Sequence, residues 1–220
     1  MFKGIIFDLD GTLLDTRNDM GNSVNYVLQQ RGLKTHSLEK YNQFVGNGIP
    51  KLIERSFPKG YDDLESAFDD FMVYYGNHCT DYTLHYEGIV SLLKTLNALN
   101  IPIAISTNKV QSLTDTMVAH YFKDIQFVDV IGDRLDGLNK PNAHYPNLIL
   151  DKMNLNHDEV LFVGDSNVDI QTAKNANLTS VGVAWGFRGE VELIESGADY
   201  IAQTAEDILS LVRPQSLVLK

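Results

Sequence analysis

Cysteine is nearly absent from this sequence, and its scarcity limits the classes of protein to consider. The 220 residues contain one cysteine, Cys79, so no disulfide can form within the chain. Secreted domains that depend on disulfides are therefore excluded, and a reducing compartment is the expected setting. On this ground the sequence predicts a cytoplasmic protein.

Long hydrophobic runs are missing as well. No stretch approaches the roughly 18 apolar residues that a membrane-spanning helix needs. The first residues lead directly into a strand-like pattern, without the charged and apolar segments of a signal peptide. We expect no membrane partner and no export signal.

Positive charge is scarce relative to negative charge. The chain has 18 Lys and Arg residues against 29 Asp and Glu, a net charge of -11 and a pI of about 4.8. An acidic surface argues against nucleic acid as a partner. A small phosphorylated substrate remains compatible, because a metal ion and a lysine can reverse the sign of the potential inside a cleft. The Gly-x-x-x-x-Gly-Lys-Ser/Thr pattern of P-loop kinases is also absent.

The remaining composition is that of an ordinary globular protein. Hydrophobic residues make up 44% of the chain and the mean hydropathy is -0.15, which is sufficient for a sizeable core. An apolar run at residues 4–7 predicts a buried strand. Between residues 15 and 82 the apolar residues recur every three or four positions, which predicts four amphipathic helices rather than strands.

Strands and helices alternate after residue 88. Strands are predicted at 101–107, 127–131, 160–164 and 180–184, and the helices between them include 109–121, 145–153 and 166–175. This alternation is typical of an α/β fold, a Rossmann-like doubly wound parallel sheet with helices on both faces. The predicted organisation is an α/β core, residues 1–14 and 84–220, with a small helical cap inserted after the first strand, residues 15–83.

Two aspartates follow the first strand in Asp8-Leu9-Asp10-Gly11. Residues two apart in a strand point to the same side, so Asp8 and Asp10 should project together. Two carboxylates held close repel each other, and a bound divalent cation relieves the repulsion. Because carboxylate oxygens suit Mg²⁺, this strand end is a candidate magnesium site.

Other polar residues follow the later strands. Thr107 and Asn108 end the second core strand, Asp165 and Asp169 follow the strand at 160–164, and Lys140 precedes that strand. Ligands of open parallel sheets bind beyond the carboxyl ends of the strands. The collection contains the groups for a Mg²⁺ site next to a phosphate site.

Four segments, FDLDGTLLDT, ISTNK, KPN and FVGDSNVDI, give the chain a specific resemblance. In order and approximate spacing they resemble the haloacid dehalogenase (HAD) superfamily, and within it the phosphoglycolate phosphatase-like group. The resemblance covers nearly the whole chain. It implies an α/β core with a helical cap and a Mg²⁺-dependent phosphatase that hydrolyses a small phosphomonoester through an aspartyl phosphate.

The resemblance also implies roles for individual residues. Asp8 matches the nucleophile and a metal ligand. Asp10 matches the acid/base, with its backbone carbonyl as a metal ligand. Thr107, with the neighbouring amides at Asn108, matches the phosphate-binding motif. Lys140 matches the lysine that steadies nucleophile and phosphate.

The last aspartate motif and the cap add three further residues to the implied site. Asp165 matches the direct Mg²⁺ ligand. Asp169 matches a supporting carboxylate, either near the metal or orienting Lys140. Asn47, between two glycines, lies where the cap loop of this group often faces the active site, although helix-breaking explains those glycines equally well.

Three functions stay open from the sequence. The first is the phosphatase, and the second is a phosphomutase, such as a sugar-phosphate mutase, which uses the same two aspartates but must exclude water. The third is a catalytically silent binding protein on the same fold, which the intact set of polar residues argues against. The physiological substrate and the oligomeric state cannot be determined from the sequence.

Overall fold

A computed structural model describes residues 2–212 of the chain. The strands are β1 (Gly4–Phe7), β2 (Leu14–Asp15), β3 (Leu84–His85), β4 (Ile103–Val110), β5 (Val130–Asp133), β6 (Val160–Gly164), β7 (Thr179–Val183) and β8 (Tyr200–Ala202). The helices are α1 (Arg17–Gln30), α2 (Tyr41–Phe44), α3 (Ile49–Ser56), α4 (Leu64–His78), α5 (Ile89–Ala98), α6 (Gln111–Tyr121), α7 (His144–Met153), α8 (Asn167–Asn175), α9 (Gly189–Glu195) and α10 (Ala205–Val212). Two 3-10 turns occur at Leu38–Lys40 and His157–Glu159.

Six of these strands form one parallel sheet in the order β5-β4-β1-β6-β7-β8. All four residues of β1 are buried, and alternate side chains enter different cores. Ile5 and Phe7 belong to a cluster with α5, α6 and α10, whereas Ile6 packs in a cluster with α7 and α8. Helices therefore cover both faces of the sheet, as the alternating sequence pattern predicted.

The strand order places the ends of three strands side by side. From β1 the chain passes to β4 and β5 on one side, then returns to β6 on the other side of β1. Parallel sheets bind ligands at the crevice created by such a reversal. The residues that follow β1 and β6, and those at the end of β4, consequently meet at one edge of the sheet.

Helices α1 to α4 lie in the sequence between the first and second strands of the sheet, where a helical insertion was predicted. Two short strands, β2 and β3, pair antiparallel at the two ends of this insertion. The predicted boundaries of the cap, at residues 15 and 83, fall next to this pair, and the division into two domains stays a prediction. The sequence pattern did not predict β2 or β3, because strands of two residues show no periodicity.

A buried aspartate anchors the segment that leaves the helical insertion. The carboxylate of Asp19, on α1, accepts hydrogen bonds from the backbone N–H of Tyr82 and from the N–H and hydroxyl of Thr83 at 2.8–3.1 Å. Asp19 is 2% exposed. Because a buried carboxylate needs partners, these bonds hold α1 and the return segment in one arrangement.

The boundaries of three predicted elements near the site were wrong by two to three residues. The strand predicted at 101–107 is β4 (Ile103–Val110), which continues through Lys109, so the helix predicted from residue 109 begins at Gln111. The strand predicted at 127–131 is β5 (Val130–Asp133). Polar residues at a strand end look like loop residues in the sequence, but β4 keeps its pairing with β5 out to Val110 and Asp133.

No helix within residues 2–212 is long and apolar enough to cross a bilayer.

Candidate active site

Asp8 and Asp10 line one cleft at the carboxyl end of β1. The N–H of Asp8 donates to the carbonyl of Val163 at 2.8 Å, which extends the pairing of β1 with β6 beyond Phe7. Asp8 is 7% exposed. One oxygen of the Asp10 carboxylate accepts a hydrogen bond from the Thr16 hydroxyl at 2.8 Å. Both carboxylates therefore face the same cleft, as predicted, although residues 8–10 lie beyond the end of β1.

Lys140 is buried between two carboxylates. Its Nζ lies 2.8 Å from Asp8 Oδ1 and 2.6 Å from Asp169 Oδ1. Burial opposes the charge of this ammonium, but the two carboxylates outweigh burial and raise the pKa of Lys140 above its usual range. The lysine therefore stays protonated and fixed beside Asp8. Of the two roles left open for Asp169, this contact favours orienting Lys140.

Asp169 is oriented by the start of α8. Its second oxygen accepts hydrogen bonds from the N–H and the hydroxyl of Ser166, at 3.1 and 2.7 Å, and forms a capping box with that residue. Asp169 thereby satisfies the helix terminus with one oxygen and Lys140 with the other. One side chain therefore both caps α8 and contacts Lys140.

Asp165 is enclosed by two glycines. A Cβ at Gly11 would lie 2.3 Å from Asp165 Oδ2, and one at Gly186 would lie 2.2 Å from Asp165 Cβ. Gly11 also has φ +86°, which favours glycine. The N–H of Phe187 donates to Asp165 Oδ2 at 2.7 Å. The segment at 185–187 therefore closes over this carboxylate and fixes its direction.

Three buried carboxylates form a group that fits a divalent cation. Oxygen atoms of Asp8, Asp165 and Asp169 lie within 4.8 Å of one another. The predicted metal ligands were Asp8, Asp165 and the backbone carbonyl of Asp10. This group of side chains contains Asp169 and not Asp10, because Asp10 was expected to bind the metal through its backbone. An all-oxygen, strongly anionic set suits a hard cation such as Mg²⁺.

The electrostatics of the site support the same reading. Burial raises the pKa of Asp8 to about 7, with Lys140 opposing and Asp169 reinforcing the shift. Burial, together with the charges of Asp169 and Asp8, raises the pKa of Asp165 well above its ordinary value. Both carboxylates are therefore unfavourable as anions in the protein alone. A cation among them would stabilise the ionised forms.

Thr107 and Asn108, at the end of β4, have different surroundings. Thr107 is buried and lines the cleft. The side-chain amide of Asn108 donates to the carbonyls of Lys140 and Gly46, at 3.1 and 3.2 Å, and its oxygen accepts from the N–H of Lys140 at 2.7 Å. Asn108 thus ties the lysine loop to the cap loop through its side chain. A contact of Asn108 with substrate stays a prediction.

Lys109 is a site residue that the sequence reasoning missed. Its side chain is 1% exposed, and its Nζ lies 3.1 Å from Asp10 Oδ2 and 2.9 Å from the hydroxyl of Tyr75 on α4. Burial raises the pKa of Tyr75 well above its usual range, so the phenol remains neutral. A signal was available: Lys109 is two residues after Thr107, and continuing the strand would have placed both toward one side.

The wall opposite the aspartates comes from the helical insertion. Met20 of α1, Val45, and Ile49 and Leu52 of α3 line the cleft, together with Gly46 and Gly48. Asn47 is half-buried and is not among the described residues that line the cleft, so its contact with substrate stays a prediction. The volume of this cleft is about 30 Å³, which is room for one or two water molecules.

Comparisons with known proteins agree with this geometry. A family model described as haloacid dehalogenase-like hydrolase matches residues 5–183. Among curated proteins, the chain is similar to a phosphoglycolate phosphatase of Pseudomonas fluorescens (strain Pf0-1), with 34% identity over 83% of this chain and 70% of that protein. It is also similar to a phosphoglycolate phosphatase of Vibrio parahaemolyticus, with 30% identity over 96% of each chain.

A solved structure shows the same fold. The crystal structure of a predicted phosphoglycolate phosphatase from Haemophilus somnus 129PT has a TM-score of 0.88 and 27% sequence identity, and it covers 96% of this chain and 98% of that one. The family match extends over most of the chain and includes the strands that carry Asp8, Thr107 and Asp165. The chain belongs to the haloacid dehalogenase-like hydrolases and is a phosphatase of the phosphoglycolate phosphatase-like group.

Proposed function

We propose that this phosphatase is Mg²⁺-dependent and hydrolyses a small phosphomonoester, similar in size to phosphoglycolate, through an aspartyl phosphate on Asp8. The observation that carries the proposal is Asp8 itself. It is a buried carboxylate that lines the cleft, 2.8 Å from an ammonium group and within 4.8 Å of the oxygens of two further aspartates.

Asp8 has the surroundings that a nucleophile needs. The protein alone disfavours its ionised form, and Lys140 counters this from a fixed position. In the proposed reaction an oxygen of Asp8 attacks phosphorus and the alcohol leaves. Lys140 then balances negative charge on both the carboxylate and the phosphoryl group.

Asp10 is the proposed acid and base. In the first step it gives a proton to the leaving oxygen, and in the second it takes a proton from the water that attacks the aspartyl phosphate. Its two oxygens are held by Thr16 and Lys109, which restricts the carboxylate to one direction. Thr107 and adjacent backbone N–H groups are proposed to bind the phosphoryl oxygens at the end of β4.

Mg²⁺ is the proposed cofactor, with Asp8, Asp165 and the backbone carbonyl of Asp10 as its ligands. When bound, it would neutralise charge on the phosphoryl oxygens and on the aspartates. Asp169 would support the site by holding Lys140 and the start of α8. The substrate class is proposed from the small cleft and from the relatives named phosphoglycolate phosphatase.

The test combines turnover with trapping of the intermediate. Phosphate release is measured over a panel of phosphomonoesters with Mg²⁺, after chelation and with Ca²⁺, and the products are identified. We expect activity that requires Mg²⁺, inhibition by Ca²⁺, and an acid-stable, hydroxylamine-sensitive phosphoryl label in rapid-quench samples.

Asp8→Asn is the decisive variant. It should abolish both turnover and labelling while the circular dichroism spectrum stays that of the wild type, because the shape of the side chain is kept. Turnover near the wild-type rate in this variant would refute covalent catalysis by Asp8. Full activity after exhaustive chelation would refute the metal requirement. An isomerised phosphoester instead of free phosphate would identify a mutase.

A further inference from the structure

The wall of the cleft that faces the aspartates is entirely apolar in its side chains. Met20, Val45, Ile49 and Leu52 are each no more than 5% exposed, and they come from α1, the loop before α3 and α3 itself. The glycines between them contribute no polar side-chain group. An alcohol that leaves from a phosphoryl group on Asp8 would therefore depart against an apolar surface.

The cations that line the cleft are already engaged. Among the described lining residues they are Lys140 and Lys109. Lys140 contacts the carboxylates of Asp8 and Asp169, and Lys109 contacts the carboxylate of Asp10. Each ammonium group already has two partners, counting the Tyr75 hydroxyl for Lys109, and Lys140 is also assigned to the phosphoryl group. A second anionic group of a substrate would therefore compete with these carboxylates for the same charges.

One arginine contacts the same loop. Arg188 donates from Nη2 to the carbonyl of Val45 at 3.0 Å, and its Nη1 lies 3.8 Å from a carboxylate oxygen of Glu192. Arg188 is not among the residues that line the cleft. Its charge is directed at the backbone of the loop and at a neighbouring turn of α9.

The charge balance of the site also disfavours a second anion. Four aspartates and two lysines carry two net negative charges, which a divalent cation would cancel. A phosphoryl dianion would then restore two negative charges, and a carboxylate on the leaving group would add a third. Burying a charge with no partner is strongly unfavourable.

From the apolar wall and the paired lysines, we infer that the leaving group is a short alcohol without a negative charge, and that phosphoglycolate is a poor substrate. This inference rests on the proposed phosphatase function, and it names the substrate class more narrowly: phosphate monoesters of small neutral alcohols.

The test compares esters that differ only in charge. Phosphoglycolate is matched with phosphoglycolamide, in which a neutral amide replaces the carboxylate with almost no change of shape. 2-Hydroxyethyl phosphate and propyl phosphate extend the neutral series. We expect kcat/KM for phosphoglycolamide to exceed that for phosphoglycolate at least ten-fold, with Mg²⁺ present throughout.

A charge placed in the wall provides the second arm. Leu52→Lys directs an ammonium group at the cleft and should raise the ratio of kcat/KM for phosphoglycolate over phosphoglycolamide at least ten-fold. Leu52→Met is the matched control, because it changes the same side chain without adding charge. Whatever its effect on turnover, it should keep the wild-type ratio within two-fold.

The outcomes separate this inference from the proposed function. If phosphoglycolate is hydrolysed as well as or better than its amide by the wild-type protein, the inference is wrong, with no variant needed. If the wild type prefers phosphoglycolate and Arg188→Gln loses that preference, the arginine turns inward to bind the carboxylate of the substrate. That result also overturns the inference. If no ester of either charge releases phosphate, the proposed function itself fails.

Discussion

The stability of the metal-free protein should fall as the pH rises, and Mg²⁺ should remove that dependence. Burial raises the pKa of Asp8 from 3.8 to about 7 in the folded protein. Between these values the folded chain binds a proton at Asp8 that the unfolded chain has released. The free energy of unfolding therefore decreases with increasing pH across this window.

The magnitude follows from the size of the shift. One pKa unit corresponds to about 1.4 kcal/mol, so a difference of about three units corresponds to about 4 kcal/mol across the whole window. About two units of it lie above pH 5, or about 3 kcal/mol. The pKa of Asp165 is raised as well, which acts in the same direction. A cation among these carboxylates favours their ionised forms and should restore the lost stability at high pH.

The assay is urea unfolding followed by circular dichroism, at pH 5 and pH 8, with metal-free protein and with added Mg²⁺. We expect Mg²⁺ to raise the free energy of unfolding by a few kcal/mol at pH 8 and by much less at pH 5, where protons compete with the metal.

Asp8→Asn is the control, because it removes one of the titrating carboxylates and keeps its shape. The metal-free variant should lose less stability between pH 5 and pH 8 than the wild type. Equal stabilisation by Mg²⁺ at both pH values, or an unchanged pH dependence in the variant, would refute the electrostatic account of the site.

Three further predictions concern single side chains. Asp10→Asn should slow the first step far more for alkyl than for aryl phosphates, and the phosphoenzyme should accumulate; equal impairment of both ester types without accumulation in rapid-quench experiments would exclude the acid/base role. Lys109→Met should lower the free energy of unfolding by about 3 kcal/mol, because it leaves the Asp10 carboxylate without its cation, whereas Tyr75→Phe should cost only about 1–2 kcal/mol. A loss in Lys109→Met below that in Tyr75→Phe would show that the contact with Asp10 contributes little. Asp19→Asn should cost about 2–3 kcal/mol in urea unfolding, since an amide cannot accept all the bonds from residues 82 and 83, and an unchanged stability would contradict the anchoring role.

Most of the site could be predicted from the sequence for a topological reason. Asp8 and Asp165 directly follow a buried strand and Thr107 lies near the end of one, and the carboxyl ends of neighbouring parallel strands meet at one edge. Apolar runs of four or five residues identify such strands without any knowledge of their neighbours. The helices inserted between the first two strands of the sheet could be predicted for a similar reason, because a helical period differs from that of a strand.

Lys109 and Tyr75 show where that reasoning stopped. The pattern of residues 107–110 is polar, and only the pairing of β4 with β5 extends the strand through Lys109. Tyr75 lies on the apolar stripe of α4, whose helical period predicts a buried face, and its side chain is buried. That its hydroxyl reaches an ammonium group depends on how α4 packs on the sheet, and periodicity carries no information about the partner of a buried face.

The sequence by itself determined the alternation of elements, the buried strands and the acidic residues at their ends, because these depend on local periodicity and on chain order. The tertiary structure decided what the acidic residues face. The helical periodicity of their segments predicts that Met20, Val45 and Leu52 are buried. Only the fold shows that they line the active-site cleft. The hydrophobic period of a segment predicts which side chains are buried. The groups that these side chains contact depend on how elements distant in the sequence pack together. The apolar wall opposite Asp8 is a property of that packing.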